Sequence, residues 1–167
     1  MIHHCVRWKP NNQILEEVAP DYPSIEYEKQ HIDALCMNFV RCPQDFDVVV
    51  GSNLFGDILT DLAAVLAGGL GVAPSANLNP ADPSQPALFE PTHGSAPDIA
   101  GQGIADPRAT LFSLALMLEW MGEKEPIFYG AAQHLHETLV SDLAAGHPAC
   151  GTDEVGARIQ GALGGDR

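Results

Sequence analysis

Positive charge is scarce in this chain. Its 167 residues hold 8 Lys and Arg against 22 Asp and Glu, a formal net charge of −14. Such a surface repels phosphate backbones, which argues against nucleic-acid binding. Long apolar runs are absent too. No stretch approaches the ~18 residues of a membrane span, and the start shows no signal-peptide pattern. The expectation is a soluble, cytoplasmic protein that binds neither nucleic acid nor membrane. Cysteine is sparse: Cys5, Cys36, Cys42 and Cys150 form no C-x-x-C pair and no zinc-finger spacing, so reduced thiols are expected. Internal repeats, low-complexity segments and the G-x-G-x-x-G fingerprint of dinucleotide sites are missing as well.

What is present reads as globular and mixed α/β. Hydrophobic residues make up 46% and charged residues 18%, enough for one ordinary domain with a sizeable core. Ile14, Leu15, Val18 and Ala19 predict a helix over 12–19, closed by Pro20. Ile25-Glu26-Tyr27-Glu28 alternates like a short strand. Ile32, Leu35, Phe39 and Val40 form a helical stripe with Pro43 beyond it, and Phe46-Asp47-Val48-Val49-Val50 reads as a buried strand. From Gly68 to Pro107, glycine and proline predict loop and short strand. Asp106-Pro107 opens a core helix over Ala109–Met121. Helices over 131–144 and 153–163 follow, the last capped by Thr152. Strands are few, no long β-α-β series is visible, and the chain does not build a convincing sheet alone.

The run Asn53-Leu54-Phe55-Gly56-Asp57-Ile58-Leu59-Thr60-Asp61 sets two carboxylates four residues apart at a helix start. At 100° per residue they lie one turn apart on one face, with Ile58, Leu59, Leu62 and Leu66 elsewhere. Two acids so placed can share a hard, oxygen-seeking cation such as Mg²⁺ or Mn²⁺. Equally, Asp57 can complement the helix dipole while Asp61 is merely solvated. An anionic substrate on so acidic a chain would need a metal, or basic residues supplied elsewhere. Neighbouring His3, His4 and Cys5 do not easily converge on one ion, and His134 and His136, two apart, read as surface residues.

Residues 89–107 form a second block. Gly94, Ser95 and Ala96 are small enough for backbone to approach a ligand, and Gly101 and Gly103 permit tight turns. Asp98 could accept hydrogen bonds from two sugar hydroxyls, as acids do in dinucleotide sites. On its own the block serves as readily as an ordinary surface loop.

Together, Asn53–Asp61 and His93-Gly-Ser-Ala-Pro-Asp-Ile-Ala-Gly101 closely resemble the C-terminal half of the metal-dependent β-decarboxylating dehydrogenases, the isopropylmalate/isocitrate dehydrogenase family. The resemblance runs from about Tyr22 to the C-terminus. Pro74-Ser-Ala-Asn-Leu-Asn-Pro80, His31–Cys36 and Phe46–Asn53 look most like the tartrate and D-malate branch. The resemblance implies an α/β, two-domain fold of non-Rossmann type, only its C-terminal portion present. Residues 1–55 would belong to a smaller, dimer-forming domain and 56–167 to the larger metal- and NAD-binding domain.

It implies roles as well. Asp57 and Asp61 would hold Mg²⁺ or Mn²⁺, with Asp33 reaching the ion from the other subunit of a homodimer. The metal would grip the substrate's 2-hydroxyl and stabilise the enolate left as CO₂ departs. His93, Gly94, Ser95, Ala96, Pro97, Asp98 and Ile99 would cover the adenosine half of NAD, and Glu90 would lie near the nicotinamide ribose. Asp106 stands where the family usually has Asn, at the adenine, and lacks the donor an amide provides. A monovalent cation such as K⁺ belongs to the same expectation. No catalytic residue is expected in this chain: the base Lys would fall just before Met1, the acid Tyr and substrate arginines belong to a missing N-terminal half, and Lys9 does not fit. The implied reaction is NAD-dependent oxidation of a small 2-hydroxy dicarboxylic acid such as tartrate or D-malate, with or without decarboxylation. The chain would be a fragment, or one piece of a split protein whose companion chain supplies the missing half, and would be inactive alone. Isopropylmalate is the alternative substrate; a non-catalytic remnant or dimerisation module is the alternative of another class.

Overall fold

The computed structural model describes residues 2–5, 9–146 and 150–164, and the chain divides into two compact units, Met1–Ala67 and Gly68–Arg167. The side chains of His3, His4, Cys5 and Lys9, weighed above, lie outside the described residues. Among the described residues, no helix is long and apolar enough to cross a membrane.

In the first unit strands and helices alternate: β1 (Ile2–Cys5), α1 (Lys9–Val18), β2 (Tyr27–Gln30), α2 (Ile32–Arg41), β3 (Val48–Val50) and α3 (Asn53–Leu66). All three strands are parallel in the order β2-β1-β3, with Ile2 opposite both Tyr27 and Val48. A short β-α-β series and a three-stranded parallel sheet are thus present where few clear strands, no long series and no convincing sheet were expected. The central strand, Ile-His-His-Cys, shows no apolar alternation, so periodicity could not find it. β2 also starts two residues later than the alternating run at Ile25, because the Ile25 N–H donates to the Tyr22 carbonyl (3.0 Å) and closes a turn there.

β3 is likewise not the buried strand expected. Val48 is 49% and Val50 41% exposed, because β3 is an edge strand bonded on one side only, and only alternate side chains turn inward. Val49 joins the unit's core, where Leu35 and Leu59 are enclosed by Ile32, Cys36, Phe39, Phe46 and Phe55. The rings of Phe39 and Phe46 lie 4.7 Å apart and tilted, a favourable aromatic arrangement. Met37 and Val40 of α2 and Leu54, Ile58, Val65 and Leu66 of α3 remain exposed.

The second unit begins with an antiparallel pair, β4 (Pro74–Asn77) and β5 (Leu88–Pro91), Ser75 opposite Glu90. Their connection is built on Asp82. Its carboxylate accepts hydrogen bonds from the Ser84 hydroxyl (2.6 Å), the Gln85 amide (2.9 Å) and the Ser84 N–H (3.2 Å). Those bonds, Ser84's hydroxyl foremost, hold its pKa below the ordinary value. Helices α4 (Arg108–Gly122), α5 (Ile127–Ala144) and α6 (Thr152–Gly164) complete the unit. They bury Phe112, Ala115, Leu135, Leu139, Val155 and Ile159 in one core. A Cβ on Gly122 would sit 2.8 Å from the Tyr129 ring, so glycine is what lets the end of α4 meet the start of α5. Thr152 does not cap α6 as expected. Its hydroxyl donates instead to the Ala105 carbonyl, while Glu154 accepts the Gly151 N–H (3.3 Å).

Leu139 is fully enclosed and sits where α4, α5 and α6 share a core. Leu139→Ala should lower unfolding free energy by about 2–5 kcal/mol, the range for a leucine cavity. Denaturant titration reads this directly; a loss below about 1 kcal/mol would mean the three helices do not pack around that side chain.

Candidate functional site

Helix α3 packs inward through one face and leaves much of its remaining surface exposed. Leu59 and Ala64 are buried, which leaves Asp57 and Asp61 exposed one turn apart. Ser52 enters the helix with extended backbone, and its carbonyl accepts the Gly56 N–H at 2.7 Å. Asn53 Nδ2 donates to Asp57 Oδ2 (3.1 Å), orienting that carboxylate. Asp33 lies exposed in the first turn of α2, where its Oδ1 accepts the Ala34 N–H (2.9 Å). Among the described residues no three His, Cys, Asp or Glu side chains gather as a metal-binding group. Helical spacing thus sets Asp57 beside Asp61; Asp33, expected to act from the other subunit, forms no three-acid group with them within the chain. Two hard oxygen donors fit Mg²⁺ or Mn²⁺ and complete neither's coordination shell.

The second unit carries the loop block. Thr92 anchors the end of β5, its N–H (3.1 Å) and hydroxyl (3.3 Å) both donating to the Ala73 carbonyl. Glu90 on β5 is exposed. His93 Nδ1 lies 3.0 Å from the Gly94 carbonyl, which favours the tautomer protonated at Nδ1. Ala96, at φ 42° and ψ 62°, is the non-glycine residue of positive φ among those described. An L-residue is strained there. It turns the chain into a short 3-10 turn, Pro97–Ile99, closed by the Ile99 N–H on the Ala96 carbonyl (3.1 Å). Asp98 is exposed on that turn. Gly101 (φ 75°) and Gly103 (φ 66°) take the tight conformations expected of them. A Cβ on Gly94 would meet nothing within 4 Å, so the small residues leave open space before the loop.

Asp106 is engaged within the protein. Its Oδ1 accepts the Arg108 N–H (2.9 Å) at the start of α4, although Pro107, not Asp106 as expected, is the residue at the N-cap. The Arg108 guanidinium closes on the same carboxylate, Nε at 3.0 Å from each oxygen and Nη2 at 2.6 Å from Oδ2. The hydrogen bond to Asp106 is the main reason that the guanidinium's pKa is raised. Arg108 Nη1 also reaches Asp142 Oδ2 (3.3 Å). Asp142 is buried and takes Arg158 on both oxygens, through Nε and through Nη2 (3.1 Å). Sequence reasoning missed these three residues. One signal existed: Asp142 continues the stripe of Leu135 and Leu139 at i+7 and i+3, placing a carboxylate on the apolar side of α5.

Comparison with known proteins follows the same residues. The family model described as isocitrate/isopropylmalate dehydrogenase matches residues 4–159. A 3-isopropylmalate dehydrogenase of Mycobacterium leprae is 51% identical over 152 residues, 90% of this chain and 44% of that protein. A probable tartrate dehydrogenase/decarboxylase of Bacillus subtilis is 54% identical over 114 residues, 68% of this chain and 32% of that protein. Among solved structures, isocitrate dehydrogenase from Methylococcus capsulatus superposes with a TM-score of 0.80 at 38% identity, covering 97% of this chain and 50% of that one. The chain therefore spans about half, or less, of the length of these relatives.

Proposed function

Because the chain belongs to the isocitrate/isopropylmalate dehydrogenase family, we propose that it is the C-terminal part of an NAD-dependent dehydrogenase of the tartrate or D-malate type. The substrate class is a small 2-hydroxy dicarboxylic acid, oxidised with or without loss of CO₂. The observation that carries this reading is the reach of the family match, which takes in both Asn53–Asp61 and the 89–107 loop. In this reading residues 1–55 belong to the smaller, dimer-forming domain and 56–167 to the larger one.

Asp57 and Asp61 would hold the divalent ion, helped by Asp33 from the other subunit of a homodimer. When bound, the ion supplies Lewis-acid chemistry at the substrate hydroxyl. The exposed carboxylate of Asp98 would accept the adenosine ribose hydroxyls, and Gly94, Ser95 and Ala96 would admit the cofactor close to backbone. Asp106, already gripped by Arg108, has no amide donor for the adenine ring. Isopropylmalate is the second reading, favoured by the Mycobacterium leprae relative, whose match covers more of this chain than the Bacillus subtilis one.

Three measurements test the proposal. The 167-residue chain alone should not reduce NAD with D-malate, tartrate or isopropylmalate, since loss of general acid and base costs roughly 10²–10⁴-fold each; robust turnover would refute the division of labour. Asp57→Asn with Asp61→Asn should weaken Mn²⁺ binding by about tenfold or more without unfolding the chain, because both carboxylates face solvent. An unchanged Mn²⁺ titration would return the pair to simple solvated acids. Finally, in an enzyme completed with an N-terminal half, the carboxylate at Asp98 should repel the extra phosphate of NADP. The wild type should prefer NAD, and Asp98→Lys with Ile99→Tyr should shift the ratio of kcat/KM toward NADP. A ratio that does not move would remove Asp98 from the ribose.

A further inference from the structure

We infer that helix α6 positions the 103–106 end of the candidate nucleotide loop through a relay of ion pairs, Arg158–Asp142–Arg108–Asp106, with Asp142 and Arg158 as positioning residues. The inference rests on reading the loop as a dinucleotide site. Every member of the relay belongs to the second unit.

Two connections run from α6 to this segment. The first is direct. At the start of the helix the Thr152 N–H donates to the Gly103 carbonyl (2.8 Å), and the Thr152 hydroxyl donates to the Ala105 carbonyl. The second passes through charge. Arg158 binds both oxygens of Asp142, and Asp142 receives Arg108 Nη1 on the same carboxylate. A guanidinium is a rigid plane with donors along its edges. Fixing Nη1 on Asp142 therefore fixes the edge formed by Nε and Nη2, which is the edge that grips Asp106. The far side of Asp106 is bounded as well, since a Cβ on Gly71 would stand only 2.8 Å from its Cβ.

Stapling the helices together is the simpler explanation for these charges, and the packing argues against it. α4, α5 and α6 already share the core of Phe112, Leu135, Leu139, Val155 and Ile159. A buried ion pair adds little stability over apolar residues of similar size, because desolvation offsets its attraction. What the relay adds is direction. It transmits the placement of one helix to a loop that carries no core residue of its own.

The test separates position from stability. In the 167-residue chain, Asp142→Asn with Arg158→Met keeps each side chain close to its size and removes both charges. Amide exchange by NMR is followed at Arg108 and Thr152, whose N–H groups bond to Asp106 Oδ1 and the Gly103 carbonyl. Those two amides should exchange about tenfold faster, while Leu139 and Ile159 in the core stay within about twofold of wild type. Arg158→Lys, which keeps the charge, should recover part of the protection. Unchanged rates at Arg108 and Thr152, or equal acceleration in the core, would overturn the relay. Where the double variant does not fold, Arg158→Gln alone is read in the same way. NAD titration of the same samples addresses the underlying reading: the wild type should bind and the double variant should bind less tightly. A wild type that binds no NAD, with the exchange pattern still separated, would leave the relay standing and remove the dinucleotide site.

Discussion

A carboxylate taken out of water must find compensating charge close by, and among the described residues Asp142 is the one on which that requirement falls most heavily. It is only 9% exposed, on the apolar side of α5. Two arginines from the flanking helices answer it. Each then has donors to spare, and those of Arg108 are taken up by Asp106 at the head of its own helix. The need of one buried charge thus organises groups from three helices and from the segment that enters α4.

The candidate site residues occupy the opposite kind of environment. Asp33, Asp57, Asp61, Glu90, His93 and Asp98 are all exposed. Each sits on a helix turn, a short strand or a loop; Leu35 and Leu59 hold the helices of one unit inward, and the hydrogen bonds of Thr92 and Gln102 fix the backbone of the other's loop. This is how a small core can present charged groups without burying them: the apolar residues fix the element, and the polar ones are carried on its outer face. An exposed carboxylate keeps its charge at no desolvation cost and remains accessible to a cation or a hydroxyl.

Helices were the legible part of this fold. The stripe of Ile32, Leu35 and Phe39 marked α2, the run Asn53–Asp61 marked the start of α3, and Asp106-Pro107 marked α4. Strands were not. Ile-His-His-Cys has too few apolar residues to reveal a central strand, and a run of valines does not say whether its strand lies inside a sheet or at its edge. The pair Asp57 and Asp61 was legible because both lie on one helix, where spacing settles which faces agree. The link from Arg108 to Asp142 spans 34 residues and depends on how α4 packs against α5, which no local pattern encodes. Ala96 is similar: nothing in Gly-Ser-Ala-Pro announces that the alanine, rather than the glycine, takes the left-handed conformation.

The exposed apolar side chains of the first unit have a consequence for handling the molecule. Leu54, Ile58 and Val65 on α3, with Met37 and Val40 on α2, present greasy surface on a chain that carries fourteen net negative charges. The two features pull colloidal behaviour in opposite directions. Like charge keeps copies apart in dilute buffer, yet its reach shrinks from ~30 Å at 0.01 M salt to ~3 Å at 1 M. Excluded salts such as sulfate strengthen apolar attraction over the same range. Ionic strength is therefore the variable that decides whether this chain stays dispersed in a tube.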